Sequence, residues 1–533
     1  MFVLLSTAYL LTKCENSTKC GIRYKSIILI VSIVCSFIIG GQLSALSATR
    51  RYVDVLTLSN IYSYRDVGWK IILSSAFIIF FCIGLTLFVA ITVKKGWYRA
   101  IRWQFVAYCL FFWCLNSQGA VQSFVRTCYE TVNQSFYAPN AKIRELQQKM
   151  YAKDTIYDND VDVSRIFDLR GKNVVVVFAE GFAAEFIEKF SHREHNGLTP
   201  NLNKFIDEAV YFDNYFNHTA STFRGLRGQL TSSYQLRRGY SSEYTGLGNL
   251  SGSELKKTLT GTLISVPHIL KSHGYHSYFL STHENDYQLN LMLETLEFDK
   301  VYGANDFNST KPEMTDQQLF SHLTDLIRDN KLQKPFFIGT YNIGTHFGQD
   351  SPDVKYGDGS NCILNTIRNF DDAFGKFWAS VKGRDDIVVV LTADHAVIPG
   401  HLYIETFGTH RGFPINQVPF VVWNRNFKHQ VLDAKGRNSI DLAPTLLQAM
   451  GIKNAPNYFL GCSLFDSSCP RPFEHIANVD DGFWETPSLR ALDPKNPQDA
   501  DIIKKVKDFY NLSECRLPTD PASRAMFSGH SET

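Results

Sequence analysis

Two long apolar runs near the N-terminus constrain this chain more than any other feature. Neither residues 26–49 nor residues 71–93 include a charged side chain. A helix needs about 20 mainly apolar residues to cross a bilayer core, and helices in globular cores rarely stay free of charge for that length. We therefore predict that both runs span a membrane, the alternative being two buried core helices. A third run, residues 103–125, predicts a further span, although polar residues interrupt it at 116–118.

The basic residues that flank these runs predict their orientation. One basic cluster lies within residues 13–25, before the first run, and another lies within residues 94–102, between the second and third runs. Cytoplasmic loops of membrane proteins carry an excess of lysine and arginine, so both clusters are placed in the cytoplasm, which requires roughly three crossings. Residues 1–125 then form a multi-pass region of the cytoplasmic membrane, and the rest of the chain lies on the extracytoplasmic side.

The overall charge and the spacing of the cysteines argue against two classes of function, nucleic-acid binding and zinc binding by cysteines. A net charge of +2 gives no electrostatic basis for binding nucleic acid. The cysteines lack the spacing of zinc ligands. Cys462 and Cys469 are close enough in sequence to form a small surface disulfide in an oxidising compartment. These observations agree with a membrane-anchored protein whose larger part lies outside the cytoplasm.

The character of the chain changes at residue 171. Residues 126–170 are polar and charged, which predicts a helical stalk or linker. Beyond them, β-branched or aromatic runs such as NVVVVFAE and DIVVVLTAD alternate with longer helical stretches. Strands that are apolar throughout and alternate with helices predict a mainly parallel sheet that is covered on both faces. We therefore predict one α/β domain over residues 171–480, followed by a polar C-terminal tail over residues 481–533.

Side chains that can bind metals follow several of the predicted strands. Glu180 ends the first strand, and Asp394 with His395 ends a later one. His346 and His283 lie in the loops that follow two further strands. Functional residues of such sheets gather at the carboxyl ends of the strands, and a buried acid requires a partner or a metal. Carboxylate and imidazole ligands suit zinc or manganese. These residues therefore predict a metal-binding pocket, with capping acids and surface histidines as the alternative.

A hydroxyl-rich segment, residues 217–234, offers the nucleophile that such a pocket requires. A predicted helix begins after Ser221, at Thr222. A hydroxyl at that position, next to a divalent cation, can ionise and attack phosphorus or sulfur. Arg224 and Arg227 lie near the start of the helix, where they could hold an anion together with free backbone N–H groups. A solvated helix face is the alternative for either arginine.

The motifs VVVVFAEGF, STFRGLRGQLTS and LTADHA, in this order, resemble those of the alkaline phosphatase/sulfatase superfamily. Within it, the chain is similar to the membrane-anchored branch that includes lipoteichoic acid synthases, periplasmic glucan phosphoglycerol transferases and lipid A phosphoethanolamine transferases. The resemblance covers about residues 172–464 and implies an alkaline phosphatase-like α/β sandwich. It also implies a site for one divalent metal ion, manganese or zinc rather than magnesium, with the ligands Glu180, Thr222, Asp394 and His395. Thr222 would also be the nucleophile.

Two further motifs match the substrate side of the same branch. The THF motif, which contains His346, resembles the family's substrate-side histidine. The THEND motif, which contains His283, resembles the region that contacts the phosphoglycerol head group in lipoteichoic acid synthases. The segment SIDLAPTLLQAMG resembles the superfamily's late D-x-x-P-T helix, which is a structural match. A further family histidine corresponds to either His401 or His410, and the spacing does not decide between them.

Departures from other branches of the superfamily narrow the activity. Sulfatases oxidise a Cys or Ser of a C/S-x-P-x-R motif to formylglycine, whereas Thr222, followed by Phe223 and Arg224, cannot give that aldehyde. The sequence shows one metal site, whereas secreted alkaline phosphatases have two. Few outer cysteines and about three spans distinguish the chain from the phosphoethanolamine branch, which often has many disulfides and a five-helix membrane part.

The resemblance implies a metal-dependent transferase that is anchored in the cytoplasmic membrane. It would move a phosphoglycerol-type head group from a phospholipid donor to a surface or periplasmic glycan through a phospho-threonine intermediate. The alternatives are a phosphoethanolamine transferase, a hydrolase of phosphodiesters or sulfate esters, and a non-catalytic surface protein that binds glycan or lipid. The presence of all the key site residues argues against the last of these.

Overall fold

The computed structural model describes residues 10–11, 22–49, 69–92, 151–235, 251–309, 311–398, 400–408, 414–466, 473, 475–479 and 482–513. The third apolar run and residues 126–150 of the predicted stalk lie outside these residues. The chain divides into two compact units, one formed by Met1–Leu58 with Val67–Phe136 and the other by Ser59–Asp66 with Tyr137–Thr533.

The described part of the first unit contains two long apolar helices, α1 (Ile22–Thr49) and α2 (Trp69–Thr92). The apolar segment of α1, Tyr24–Ser47, has 24 residues and is long enough to cross a membrane. The apolar segment of α2, Ile72–Phe88, is shorter. Length and composition therefore support one membrane-spanning helix among the described residues. The second and third predicted spans, and with them the multi-pass topology, stay predictions.

Helices α1 and α2 pack through small and hydroxyl-bearing residues. The Oγ atom of Ser36 lies 2.5 Å from Oγ1 of Thr86, within hydrogen-bond distance. A Cβ atom on Gly40 would lie 2.9 Å from the Cα atom of Ile79, so the two backbones approach closely at this glycine. Small residues and hydroxyl hydrogen bonds are typical of contacts between helices in a membrane, where lipid is as apolar as the side chains.

The second unit is an α/β fold with three sheets. Its strands are β1 (Lys153–Thr155), β2 (Asn173–Ala179), β3 (Val210–Asp213), β4 (His276–Ser281), β5 (Lys300–Tyr302), β6 (Phe336–Tyr341), β7 (Ile387–Ala393), β8 (Val421–Trp423), β9 (Gln430–Asp433), β10 (Asn454–Asn457), β11 (Ile476–Val479), β12 (Gly482–Glu485) and β13 (Arg490–Ala491). The main sheet has the order β5-β4-β6-β2-β7-β8-β3-β9. Strand β8 is antiparallel to both neighbours, and the other pairs are parallel. The predicted mainly parallel sheet is therefore confirmed.

Helices separate most of these strands along the chain. They are α3 (Pro200–Asp207), α4 (Thr222–Thr231), α5 (Gly252–Leu259), α6 (Val266–Ser272), α7 (Gln288–Glu294), α8 (Asp316–Arg328), α9 (Cys362–Val381), α10 (His401–Phe407), α11 (Leu442–Ala449) and α12 (Pro497–Ser513). Every residue of the central strands β2 and β7 is buried, so both faces of the sheet are covered at its centre. This burial explains why the two strands are apolar throughout rather than alternating.

The register of the main sheet brings three strand ends together. Phe178 of β2 is paired with Tyr341 of β6, and Ala179 of β2 is paired with Ala393 of β7. Because the three strands are parallel, the residues that follow them emerge side by side at one edge of the sheet.

The globular unit extends beyond both ends of the predicted domain. Phe167 and Leu169, from the segment predicted as a stalk, are buried in the same hydrophobic core as the sheet. Residues 482–513, from the predicted polar tail, form β12, β13 and α12, and Val506 of α12 is buried. Because both segments are mostly polar, their composition did not indicate the few apolar side chains that attach them to the core.

Candidate active site

Two carboxylates and an imidazole meet where β2 and β7 end. Glu180 follows β2, and Asp394 with His395 follows β7. All three side chains are buried, and their candidate ligand atoms lie within 4.8 Å of one another. The structure thus brings together the three residues that the sequence placed at separate strand ends.

One oxygen of Asp394 is held by the backbone and the other is not. Oδ1 accepts hydrogen bonds from the backbone N–H groups of Gly181 at 2.9 Å and of His395 at 2.7 Å. Oδ2 is buried and has no hydrogen-bond partner among the described residues. A buried polar atom without a partner is costly, so Oδ2 is suited to serve as a metal ligand.

The imidazole of His395 is oriented to complete the cluster. Its Nδ1 lies 2.7 Å from the carbonyl oxygen of Ala396 and donates to it. The other nitrogen, Nε2, lies 3.6 Å from Oε1 of Glu180 and 3.5 Å from Oδ2 of Asp394. A backbone acceptor at one ring nitrogen is the usual way in which a metal-binding histidine is fixed in the required tautomer.

The charges of the cluster also fit a cation. Burial, together with the adjacent charge of Glu180, raises the pKa of Asp394 well above its usual value. Burial alone would also raise the pKa of Glu180, but the charges of His395 and His346 outweigh it and hold this pKa below its usual value. Two adjacent buried carboxylates repel each other unless a proton or a cation lies between them. The donor set, with two carboxylates and one imidazole, fits a divalent ion such as zinc or manganese.

Thr222 lies beside this cluster. It is the first residue of α4, and its Oγ1 donates a hydrogen bond to Oε2 of Glu180 at 2.9 Å. Ser221, which precedes it, has a φ of 81°, in the region that favours glycine. Non-glycine residues in this conformation are strained and are often found at functional sites. The turn places the Thr222 hydroxyl next to a candidate metal ligand.

Two glycines allow α4 to pack closely against its neighbours, which are the sheet edge at Gly225 and the loop before α4 at Gly228. A Cβ atom on Gly225 would lie 2.1 Å from the carbonyl oxygen of Asp394, and one on Gly228 would lie 2.2 Å from Nε2 of His218. Gln229, from the same helix, donates through Nε2 to the carbonyl oxygen of Asp394 at 3.1 Å. The close approach of α4 fixes the position of Thr222 relative to the end of β7.

The two predicted substrate-side histidines lie at different positions around the cluster. His346, in the loop after β6, is close enough to Glu180 for its charge to lower the pKa of that carboxyl. His283, after β4, is buried with its ring 4.1 Å from the ring of Tyr287 and 5.9 Å from that of Tyr341. Among the described residues, Tyr341 lies between His283 and Glu180, since it contacts both.

The two predicted anion-binding arginines are both buried in α4. Arg227 is 1% exposed, and its guanidinium donates hydrogen bonds to Oε1 of Gln235 and to Oγ1 of Thr262. These contacts direct the side chain of Arg227 into the protein interior. Arg227 also lies more than one helical turn beyond Thr222. Arg224 is 8% exposed, and its role in holding an anion stays a prediction.

Sequence reasoning missed Tyr341, the last residue of β6. Its hydroxyl donates to Oε2 of Glu180 at 2.6 Å, the same oxygen that accepts from Thr222. Burial, together with the charges of Glu180 and Asp394, raises the pKa of Tyr341 well above its usual value, so this phenol remains a hydrogen-bond donor. Its position at a strand end was the available signal, but a tyrosine in an apolar strand is typical of a core residue.

Some predicted features lie at the limit of the described residues. His401 begins α10, whereas His410 lies outside the described residues. Cys462 is disulfide-bonded. Its predicted partner, Cys469, lies outside the described residues, so the pairing of these two cysteines stays a prediction.

Comparison with known proteins decides the family. The model of the Sulfatase family matches residues 172–452. This chain belongs to the sulfatase family. The match includes Glu180, Thr222 and the Asp394–His395 pair, so the whole candidate site lies within the family domain, and the predicted membership of the superfamily is confirmed.

This sulfatase-family protein is also similar to individual proteins of known name or structure. It is 23% identical over 347 residues to the lipoteichoic acid synthase-like protein YvgJ of Bacillus subtilis (strain 168). The matched region covers 60% of this chain and 53% of that relative. The chain thus spans little more than half the length of the curated relative. A protein of the alkaline phosphatase superfamily from Vibrio parahaemolyticus is 18% identical, with a TM-score of 0.53, over 75% of this chain and 100% of its own. The lipoteichoic acid synthase LtaP from Listeria monocytogenes is 16% identical, with a TM-score of 0.50, over 72% of this chain and 98% of its own. These structures confirm the alkaline phosphatase-like fold.

Proposed function

We propose that this protein is a metal-dependent, membrane-anchored phosphotransferase with Thr222 as its nucleophile. The observation that carries the proposal is the hydrogen bond of 2.9 Å from Oγ1 of Thr222 to Glu180, beside the buried cluster of Glu180, Asp394 and His395. The likeness to a lipoteichoic acid synthase-like relative supports transfer of a phosphoglycerol-type head group from a phospholipid.

Glu180, Asp394 and His395, with Thr222, are the residues that would hold a divalent ion. The partnerless Oδ2 of Asp394 and the oriented Nε2 of His395 support this assignment. When bound, manganese or zinc would lower the pKa of the Thr222 hydroxyl and stabilise negative charge on the phosphoryl oxygens.

In the first step, Oγ1 of Thr222 attacks the phosphorus of the lipid phosphodiester. A bond forms between Oγ1 and phosphorus as the hydroxyl proton of Thr222 passes to solvent. The bond from phosphorus to the diacylglycerol oxygen breaks, and the head group stays on Thr222 as a phosphodiester. We assign His346 as the group that gives a proton to the departing oxygen. Its Nδ1–H donates to the carbonyl oxygen of Phe347 at 3.1 Å, which leaves Nε2 as the ring nitrogen that gives or takes the exchangeable proton.

In the second step, the same histidine works in reverse. A hydroxyl of a surface glycan, or water, gives its proton to Nε2 of His346 and attacks the phosphorus. The bond from phosphorus to Oγ1 of Thr222 breaks, and Thr222 regains a proton from solvent. Transfer to glycan or to water differs only in the acceptor, so a transferase and a phosphodiester hydrolase share these residues.

The membrane region fits a lipid donor. The apolar segment Tyr24–Ser47 of α1 is long enough to anchor the chain in the bilayer that holds the donor. The disulfide of Cys462 favours an oxidising compartment for the globular unit. We therefore propose that the catalytic unit works on the extracytoplasmic side of the cytoplasmic membrane, with crossings by the three apolar runs.

One observation favours phosphoethanolamine as an alternative head group. Nδ1 of His283, in the predicted head-group region, lies 3.5 Å from Oε1 of Glu313, whose side chain is 33% exposed. A carboxylate at this position would attract the ammonium group of ethanolamine, whereas glycerol is neutral.

The mass of the Thr222 peptide tests the proposal. Purified protein is incubated in detergent with manganese and either phosphatidylglycerol or phosphatidylethanolamine, and the digested protein is analysed by mass spectrometry. We expect the mass of phosphoglycerol on the Thr222 peptide, and none on a Thr222→Ala variant. Phosphoethanolamine on this peptide would select the alternative. Diacylglycerol release that persists in Thr222→Ala would contradict the assignment of the nucleophile.

A matched control is available in the same helix. Thr231, in the last turn of α4, is buried and donates to the carbonyl oxygen of Arg227 at 2.7 Å. Thr231→Ala removes a buried hydroxyl from α4 without touching the cluster, so it should retain lipid turnover. Thr222→Ala should lower turnover by about 10³-fold or more, since loss of a covalent nucleophile removes the main path.

A further inference from the structure

Asp316 is a buried carboxylate near the candidate site that the proposed mechanism does not use. It begins α8 and is 1% exposed. Its oxygens accept hydrogen bonds from the backbone N–H of Gly344 at 3.1 Å and from Nδ2 of Asn342 at 3.3 Å. The charge that acts on it from the described residues is that of Asp353, which is also negative. A buried carboxylate without a cationic partner costs stability, so stability alone does not explain its presence.

The groups that bind Asp316 also hold Glu180 on both sides. Oδ1 of Asn342 accepts a hydrogen bond from the backbone N–H of Glu180 at 3.1 Å. Oγ1 of Thr345 donates to the carbonyl oxygen of Glu180 at 2.7 Å, and it accepts from Nδ2 of Asn342 at 3.2 Å. Both peptide groups of this candidate metal ligand are therefore held by the loop after β6, and Asp316 holds that loop.

The same loop carries His346. A Cβ atom on Gly344 would lie 2.5 Å from each carboxylate oxygen of Asp316, so the loop passes in direct contact with this carboxylate. His346 lies two residues further on, and its backbone N–H donates to the carbonyl oxygen of Ile343 at 2.9 Å. A change at Asp316 therefore reaches both Glu180 and the histidine that we assign to proton transfer.

We propose that Asp316 is a positioning residue, whose carboxylate fixes the orientation of Asn342 and thereby the positions of Glu180 and His346. This role deepens the proposed function and rests on it. A carboxylate only accepts hydrogen bonds, so it satisfies both the Gly344 N–H and Nδ2 of Asn342. With Nδ2 turned toward Asp316, Oδ1 of Asn342 is turned toward the N–H of Glu180.

An amide or a protonated acid at position 316 would disturb this arrangement. It would keep one acceptor oxygen but place a donor at the position of the other, next to Nδ2 of Asn342, which is itself a donor. Rotation of Asn342 to relieve this contact would turn its amide NH₂ toward the N–H of Glu180. Burial, followed by the charge of Asp353, raises the pKa of Asp316 to about 7. The hydrogen bonds from Asn342 and from the Gly344 N–H oppose this rise, so these two donors favour the charged carboxylate.

The test compares Asp316→Asn with Asp371→Asn. Asp371, on α9, is an equally buried carboxylate that accepts from the backbone N–H of Leu202 at 2.8 Å and from Arg368 at 3.0 Å, neither of which belongs to the candidate site. In metal-free protein, we expect Asp316→Asn to speed hydrogen–deuterium exchange of the peptide that contains Glu180. We also expect it to weaken Mn²⁺ binding by about 10–100-fold, the usual effect of changing a group that orients a metal ligand. Lipid turnover should fall in kcat rather than in KM. Asp371→Asn should match the wild type in all of these.

Equal exchange, Mn²⁺ affinity and kcat in the two variants would overturn the proposal. If Asp316→Asn does not fold, Thr345→Val replaces it, because it removes the donor to the Glu180 carbonyl with little change in shape. Faster exchange of the Glu180 peptide in Thr345→Val supports the proposal, and wild-type exchange overturns it. Exchange is measured without metal or lipid. A wild-type protein that is inactive on lipids would therefore contradict the proposed function, while exchange still decides the role of Asp316.

Discussion

Two buried aspartates of this domain, Asp394 and Asp441, differ in whether the protein itself supplies hydrogen-bond donors to both carboxylate oxygens. Neither is exposed. Asp441 accepts from Nε of Arg437 at 2.8 Å and from the backbone N–H of Cys462 at 2.8 Å, so each of its oxygens has a donor. Within the described part of the chain, Asp394 has hydrogen-bond donors at Oδ1 and none at Oδ2, and it lies near a second carboxylate, that of Glu180.

This difference separates an acid that stabilises the fold, Asp441, from an acid that can bind a ligand or ion, Asp394. Asp441 belongs to the segment that resembles the superfamily's late helix, and its charge is neutralised by a protein cation that never leaves. Asp394 is left with a buried oxygen that the described residues do not satisfy, beside a hydroxyl nucleophile. Proteins keep such costly groups where a ligand or ion completes them. Pairing within the protein is therefore the feature that distinguishes a structural acid from a candidate metal ligand.

The largest effect should come from removing the charge of the structural acid. Asp441→Asn leaves the buried guanidinium of Arg437 without its counter-charge, and breaking such a pair costs about 3–5 kcal/mol. We expect the free energy of unfolding, measured by urea denaturation of the globular unit, to fall by that amount. Asp501→Asn, which removes an exposed acid paired with Lys505, serves as the control and should leave this free energy unchanged. An Asp441→Asn variant that is as stable as the wild type would contradict the assignment of Asp441 as a structural acid.

A smaller effect on stability, which depends on pH, is expected at Asp394. Replacing Asp394 should stabilise the protein relative to the wild type as the pH rises, whereas replacing Asp441 should destabilise it. The pKa of Asp394 in the metal-free fold is raised above its unfolded value, so its contribution to stability is greatest below the ordinary carboxyl pKa. It declines as the pH rises toward the folded pKa, by at most about 1.4 kcal/mol per pH unit. Asp394→Asn removes this decline. In chelator-treated protein, the stability of the variant relative to the wild type should therefore increase with pH. A difference that does not change with pH would contradict the raised pKa.

Much of the site could be predicted because its residues end strands that are apolar throughout. Strands β2 and β7 are buried on both faces, so Glu180 and Asp394 stood out as the first polar residues after them. Thr222 could be predicted because a hydroxyl-rich loop turns into a helix there. In each case the local pattern and the tertiary position agree.

The parts that could not be predicted depend on contacts between distant segments. Tyr341 ends β6 and has the composition of a core residue, and only the pairing of β6 with β2 places its hydroxyl on Glu180. Asp316 begins a helix with a conventional capping pattern, which gives no sign of the loop that it holds. Arg227 looked like an anion-binding residue, but packing directs it to Gln235 in the interior.

The most direct test of the central claim is the metal content of the protein. Wild type, Asp371→Asn, Asp394→Asn and His395→Ala are dialysed against Mn²⁺ or Zn²⁺, and the bound metal is measured by mass spectrometry of the ions. If the cluster of Glu180, Asp394 and His395 is a metal site, wild type and Asp371→Asn should hold about one ion per chain, and the other two variants should lose most of it. Full metal content in Asp394→Asn and His395→Ala would contradict the claim.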